Sequence, residues 1–228
     1  MDLLLAQLPS REQAWALSDS YFRNGSWMYC VIKRRTFDND FFPLAFPSVG
    51  AGAGRPAITP HQLALFFMVL CLGALFDLNS APYNQLSKRY YALAKAALAL
   101  DSAGSVVHVQ TIMLMGTLLL NEHSHATRGG EEFWPLLGLA MKHAVALGLH
   151  RDGQNWNLPK EEVDERRRVF FELDVYETLQ ALCLGRPRSL ASHAIDTKAP
   201  GSNSEEDMKS ESICASSRGI ALLAGRLA

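Results

Sequence analysis

What the chain lacks narrows its function first. Only four cysteines occur in 228 residues, at Cys30, Cys71, Cys183 and Cys214, widely spaced and never as a CxxC pair. Such spacing offers neither a disulfide framework nor a thiolate metal site. Cys71 and Cys183 fall within apolar helical patterns, where a thiol acts as a small hydrophobe, and a reducing compartment fits. Positive charge is not in excess either: 22 Lys and Arg face 23 Asp and Glu, for a formal net charge of −1 and a pI of about 6.7. Chains that grip nucleic acid concentrate Lys and Arg against the phosphates, so direct DNA contact by this chain is not expected. The most apolar run, Leu63 to Phe76, is shorter than the ~18–20 residues a membrane span requires, and Asp77 and Asn79 follow at once. It reads as a buried core helix, with no membrane partner. The opening MDLLLAQLPSREQ has too short an apolar run and no basic lead, so no signal peptide is expected.

Catalytic and metal-binding patterns are equally sparse. Glu122, His123 and His125 form the densest group of possible metal ligands, but residues i and i+2 of a helix point apart, whereas zinc helices use i,i+3 or i,i+4. His108, His143 and His150 stand alone. Ser48 to Arg55, SVGAGAGR, lacks the preceding strand and following helix of a phosphate-cradling turn, and Pro56 and Pro60 come next, so it reads as a loop. His150 to Gly153 spell HRDG, as in a kinase catalytic loop, yet the kinase lysine, DFG and phosphate-loop contexts are missing. A helix-terminating segment accounts for it, with Asp152 placed to cap local backbone N–H groups. There is no GxSxG elbow and no Cys/His dyad. No catalytic, cofactor-binding, metal-binding or DNA-binding residue is assigned, and an enzyme is not expected.

What is present is helical periodicity. Hydrophobic residues make up 48% of the chain, enough for a globular core, and no long alternating strand pattern occurs. Ser10 and Gln13 form a capping-box pattern ahead of a helix to about Arg23, with Trp15, Leu17, Tyr21 and Phe22 on its apolar side. Trp27 to Phe46 is aromatic-rich without a sustained period; Lys33 to Arg35 read as a solvated connector, and Phe37 to Leu44 as a short helix turning its aromatics inward. Thr59-Pro60-His61-Gln62 combines a cap, a first-turn proline and a capping-box glutamine. It opens a helix through Leu78 that is apolar nearly all round, hence central. Pro82 begins a helix with Tyr83, Leu86, Tyr90, Leu93, Ala97 and Leu100 on one face, and Lys88, Arg89 and Lys95 away from it. Ser105 caps the next, with Val106, Val109, Met113, Gly116 and Leu120 inward. Short connections imply neighbouring, roughly antiparallel helices. The fold class is all-α, a multi-helix bundle.

The segment from Phe133 to Pro187 reads as a helical hairpin. Phe133, Leu137, Ala140, Ala144 and Leu147 form one stripe, and Gly148 closes that helix. The second helix starts at Pro159, with Glu161, Glu162 and Asp164 at the end where the helix dipole favours negative charge. Glu162–Arg166 and Asp164–Arg168 are i,i+4 pairs. Val169, Leu173, Tyr176, Leu179 and Cys183 form the buried side, up to Gly185 and Pro187. The triplet Arg166-Arg167-Arg168 invites a nucleic-acid reading. Consecutive helical residues fan through about 200°, so the three cannot form one flat phosphate-binding face. With carboxylates just upstream they are expected to brace the domain internally, and their loss to act through stability rather than DNA affinity.

The order LGLHRD (Leu147 to Asp152), ERRRVFFEL with Arg166 to Arg168, Phe170 and Phe171, LGRPRSL with Gly185 to Pro187, and AIDTKAP with Ile195, Asp196 and Pro200 resembles the fungal-specific transcription factor domain. This is the all-helical regulatory (middle homology) region, of the xylanolytic-activator type, that accompanies zinc-cluster DNA-binding domains. LPSREQAWALSDSYFRNGSWMY and LALFFMVLCLGALFDLN resemble its early part, so the likeness covers residues 1–200. It implies a non-catalytic nuclear domain that modulates DNA-templated transcription through intramolecular contacts, protein partners of the transcription machinery, or a small-molecule effector. Zinc belongs to the accompanying six-cysteine cluster, which this chain does not contain. Two positions depart from the family pattern: Glu177 stands where Asp is common, and Ala181 where Ser is common. Residues 201–228 read as a polar, acidic linker and a short apolar end unlike the family's usual continuation, which leaves open a domain without its last helices. A stand-alone helical module for small-molecule or protein binding is the alternative.

Overall fold

The computed structural model describes residues 1–27, 29–47, 57–78, 85–121 and 132–200. All regular structure among the described residues is helical. The chain divides into two compact units, Met1–Ser26 with Ile32–Leu118, and Trp27–Val31 with Leu119–Ala228. The readings at Ser48 to Arg55, at Pro82 and Tyr83, at Glu122 to His125, at Cys214 and at 201–228 lie outside the described residues.

The first unit holds α1 (Asp2–Leu5), α2 (Arg11–Asn24), α3 (Arg34–Thr36), α4 (Phe42–Ala45), α5 (Pro60–Leu75), α6 (Gln85–Leu98) and most of α7 (Val106–Asn121). Its axis is α5. Both hydrogen bonds of the Thr59–Gln62 capping box are present, Gln62 N–H to Thr59 Oγ1 at 3.2 Å and Thr59 N–H to Gln62 Oε1 at 2.9 Å. Every residue from Leu63 to Leu72 is fully buried, as an all-round apolar sequence demands. The helix stops at Leu75, earlier than its hydropathy suggests, and Leu78 is exposed.

Packing against α2 explains the mid-helix glycine. A Cβ on Gly73 would lie 2.0 Å from the Leu17 carbonyl oxygen, so the two backbones meet where only hydrogen fits. The buried face of α2 is Ala14, Leu17, Ser18 and Tyr21, a strict i, i+3, i+4, i+7 stripe. Trp15 lies outside that stripe, half-exposed, its ring edge-on to Phe42. The segment from Phe37 does turn its aromatics inward: Phe37, Phe41 and Phe42 are buried, and Phe37 stacks on Phe66 of α5. Phe37–Phe41 is wound as a π-turn, which sequence periodicity does not signal. On α6 the buried positions are Ser87, Tyr90, Ala94 and Ala97, while Leu100 is exposed; the face is rotated from the large apolar residues toward the small ones. Small side chains allow α6 close to α5, where the Cys71 thiol donates to the Ser87 carbonyl oxygen. Ser105 caps α7 by accepting the His108 N–H at 3.0 Å. The same hydroxyl lies 2.9 Å from Nδ1 of buried His61, whose Nε2 is 3.1 Å from the Asp101 carbonyl oxygen.

The second unit is built on α8 (Phe133–Ala146) and α9 (Lys160–Leu184). Phe133, Leu137, Ala140, Met141 and Ala144 are the buried stripe of α8. Both helices end in the same motif. Gly148 and Gly185 take φ of +71° and +62°. Their N–H groups, and those of the residues after them, bond back to Val145 and Ala144 and to Leu182 and Ala181. Such a reversal needs a left-handed residue, which glycine supplies without steric cost. Helix α9 buries more than a stripe: Val169, Leu173 and Tyr176 are inside as the pattern indicates, together with the polar Arg168, Glu172, Glu177 and Thr178. Cys183 is exposed, as are Leu182 and Leu184 beside it in the last turn of α9.

Candidate functional site

The chemistry of the second unit converges on the arginine triplet and the HRDG turn. After Gly148 the chain passes through His150 and Arg151 to Asp152, which caps the 3₁₀ turn Gly153–Trp156 by accepting the Gln154 N–H at 2.9 Å. Asn157, left-handed at φ +54°, then redirects the chain into α9. Local capping by Asp152 is legible in the sequence. Its remaining partners are not. Asp152 is 2% exposed, and Arg167 grips it with Nε at 3.1 Å and Nη2 at 2.8 Å. It also accepts the Lys198 N–H at 3.1 Å. The Arg167 hydrogen bond, opposed by burial and helped by the two backbone N–H groups, holds the Asp152 carboxyl down at about 2.

The three arginines fan apart, as consecutive helical positions must. Arg166 donates to the Leu147 carbonyl oxygen at 2.7 Å, satisfying the end of α8; its contact with Glu162 is 3.8 Å. Arg167 binds Asp152. Arg168 is 4% exposed and donates to the carbonyl oxygens of Cys30 at 2.5 Å and Val31 at 3.1 Å. Its other edge meets Glu165 at 2.5 Å. The i,i+4 pairing of Arg168 with Asp164 is replaced by i,i+3 contacts, Arg168 with Glu165 and Arg167 with Asp164. The expected inward bracing is what the structure shows. Burial works against the Arg168 charge, but Glu165, through attraction and hydrogen bonding, together with Cys30 and Glu172 outweighs it, and the pKa rises above the usual arginine value.

Arg168 belongs to a clamp that sequence reasoning missed. Glu172, one turn later, accepts the Cys30 N–H at 3.3 Å. Tyr176, a further turn on, stacks on Tyr29 with ring centroids 3.9 Å apart. Positions 168, 172 and 176 share one face of α9, and together they hold residues 29–31, which lie some 138 residues earlier in the chain. Burial pushes the Tyr29 hydroxyl up to about 12. The only sequence signal was the presence of a glutamate and an arginine within an otherwise apolar face.

A third group lies along the chain after Gly185. Arg188 pairs with Asp174, and the Ser189 N–H donates to Glu177 Oε1 at 3.0 Å. Glu177 is 1% exposed, and its Oε2 has no hydrogen-bond partner among the described residues. Farther on, the N–H groups of Asp196 and Thr197 both donate to the His150 carbonyl oxygen, and Asp196 Oδ1 accepts the Asp152 N–H at 2.8 Å. The family-pattern segments ERRR and AIDTKAP therefore both contact LGLHRD directly, while LGRPRS is tied to Asp174 and Glu177 farther along α9. Ala181, at the other departure from that pattern, is simply buried.

In the first unit, a cleft of about 430 Å³ is lined by Leu17, Asp19, Ser20, Arg23, Asn24, Asp77 and Leu78. Asp19 within it is already held by Arg23 at 2.8 Å and Arg34 at 2.7 Å. Among the described residues no three His, Cys, Asp or Glu side chains gather as metal ligands, and no helix is long and apolar enough to cross a membrane.

The fungal specific transcription factor domain model matches residues 19–220, and the chain belongs to that family. It is 28% identical over 214 residues to a transcriptional regulatory protein of Schizosaccharomyces pombe, covering 92% of this chain and 27% of that one. It is 24% identical over 223 residues to a Zn(2)-C6 fungal-type transcription factor of Macrophomina phaseolina, covering 92% and 28%. It is also 24% identical over 197 residues to the lactose regulatory protein of Kluyveromyces lactis, covering 86% and 21%. The chain thus spans about a quarter of the length of these relatives. No solved structure matches it.

Proposed function

We propose that this chain is the non-catalytic regulatory region of a fungal nuclear transcription regulator. In this reading another part of the regulator contacts DNA and holds the zinc cluster, and this region modulates transcription through intramolecular contacts and protein partners. The supporting observation is the commitment of Arg166, Arg167 and Arg168 to a helix end, a buried carboxylate and two backbone carbonyls of the same unit. Cations used this way are not available to neutralise phosphates. Its net charge of −1 points the same way.

Two measurements test the reading. The isolated chain is expected to show no salt-sensitive DNA binding; sub-micromolar, sequence-selective binding near physiological salt overturns it. In the full regulator, deleting this region is expected to change reporter transcription while leaving affinity for the DNA site unchanged. Unchanged transcription would refute the regulatory assignment.

A further inference from the structure

The corner where α2 ends against α5 holds the chain's one Asn–Gly pair, Asn24–Gly25. Both residues are fixed there by contacts within the first unit. Asn24 is the last residue of α2, and its side-chain amide donates to the Phe76 carbonyl oxygen at 3.1 Å, 52 residues later at the end of α5. At Gly25 a Cβ would lie 2.6 Å from the Phe76 ring. An amide at 24 and a bare backbone at 25 are what let the Phe76 peptide and ring close on the end of α2.

The same pair is chemically labile. With no side chain on the second residue to shield it, the Gly25 backbone nitrogen can attack the Asn24 Cγ. The N–H proton passes to solvent base, the N–Cγ bond forms, and ammonia departs from Cγ to leave a succinimide ring. Water then opens the ring. Breaking the nitrogen bond to Cγ gives aspartate, and breaking the one to the Asn24 backbone carbonyl carbon gives isoaspartate. The net change is hydrolysis of one amide to a carboxylate and ammonia, with no redox step. In the closed corner both reacting groups are held. The Gly25 N–H donates to the Tyr21 carbonyl oxygen at 2.8 Å, joined there by the Ser26 N–H at 3.0 Å, and the Asn24 amide is drawn to Phe76. Attack therefore requires the last turn of α2 to open, a local event to which helix ends are prone.

We propose that Asn24 is a fold-gated deamidation site, kept as an amide while α2 is closed on α5 and converted to aspartate or isoaspartate once that corner opens. The conversion runs one way, because its product does not fit the closed arrangement. A carboxylate cannot donate to the Phe76 carbonyl oxygen, and acceptor oxygens brought together in place of that bond repel. The new charge also enters a cleft already lined by Asp19 and Asp77, where Arg23 and Arg34 are both drawn to Asp19. Isoaspartate in addition places an extra methylene in the main chain at the helix end. The corner thus records that it has opened, whatever the chain does in transcription.

The test uses the full 228-residue chain. It is incubated at mildly alkaline pH, once native and once in denaturant, and peptide mapping follows conversion at every asparagine. In denaturant Asn24 is expected to convert before any other asparagine, and conversion of another first overturns the site. In the native chain Asn24 is expected to convert at least about tenfold more slowly than in denaturant, limited by the open fraction. Equal rates overturn the gating. Misfit of the product is tested with Asn24→Asp, expected to unfold about 2–4 °C below the wild type; an unchanged midpoint refutes it. Should Asn24→Asp fail to fold, wild-type chain partly converted in denaturant is returned to native conditions and its folded and unfolded fractions are separated. Converted molecules are expected to be enriched in the unfolded fraction, and an equal share in both refutes the proposal.

Discussion

Arg168 donates to the carbonyl oxygen of Cys30 at 2.5 Å, so a helical cation late in the chain satisfies backbone 138 residues earlier. It also reaches the carbonyl oxygen of Val31, and Glu172 receives the Cys30 N–H. An extended segment that forms no regular structure of its own thus has its polar backbone groups met by two side chains of α9. Buried peptide groups demand such partners. Removing the clamp therefore leaves uncompensated groups on both sides.

Arg168→Ala is expected to destabilise the chain by about 3 kcal/mol, since it removes the buried cation shared by the Cys30 and Val31 carbonyls and Glu165. Arg168→Lys should recover little, because an ammonium cannot serve two carbonyls and a carboxylate with one planar fork. Urea unfolding measures both. Near-ultraviolet circular dichroism should register the loosened Tyr29–Tyr176 stack in the native state of either variant.

Asp152 makes the acid side of stability predictable in sign. Its folded pKa of about 2 lies below the ordinary carboxylate value of 3.8. Its contribution is therefore complete above the unfolded value and disappears as pH falls through about 2. Asp152→Asn, which loses the charge-assisted bonds from Arg167, should cost about 2 kcal/mol at pH 7. The gap between variant and wild type should narrow steadily below about pH 4. A gap independent of pH would show that Asp152 acts through shape rather than charge.

Two helical glycines should respond in opposite directions. Gly73→Ala places a methyl 2.0 Å from the Leu17 carbonyl oxygen and is expected to cost at least about 3 kcal/mol by forcing α2 from α5. Gly138→Ala meets nothing within 4 Å and should stabilise α8 by up to about 1 kcal/mol through helix propensity. Thermal unfolding of the pair separates packing from propensity.

Thr59→Ala should cost about 1 kcal/mol by removing the acceptor that caps the Gln62 N–H at the start of the central helix. Thr59→Ser, which keeps the oxygen, should recover most of it. Equal losses in the two variants would assign the effect to the threonine methyl instead.

Much of this architecture is written locally. The cap at Ser10, the capping box at Thr59, the terminating glycines at 148 and 185, and the all-round apolar α5 each follow from side-chain chemistry within a few residues. The ordered motifs from Leu147 to Pro200 were sufficient to identify the family. Periodicity was less reliable in choosing which face is buried. Trp15 and Leu100 are large and apolar yet exposed: Trp15 lies outside the buried stripe of α2, which meets α5 at Gly73, and Leu100 lies past the end of α6, whose buried positions are mostly small. Cys183 lies outside, in an exposed last turn of its helix.

What the sequence by itself determined, then, is the long helices, the caps at Ser10 and Thr59, the glycine stops at 148 and 185, the family and the inward use of the arginine triplet. The fan of consecutive helical positions and the neighbouring carboxylates suffice for that last point. Tertiary structure alone decided the partner of each arginine, the docking of residues 29–31 on Arg168, Glu172 and Tyr176, and the contacts of Asp174, Glu177 and Asp152 with residues 188–198. Those contacts join residues separated by many positions, and no local periodicity records which distant backbone a buried charge will meet.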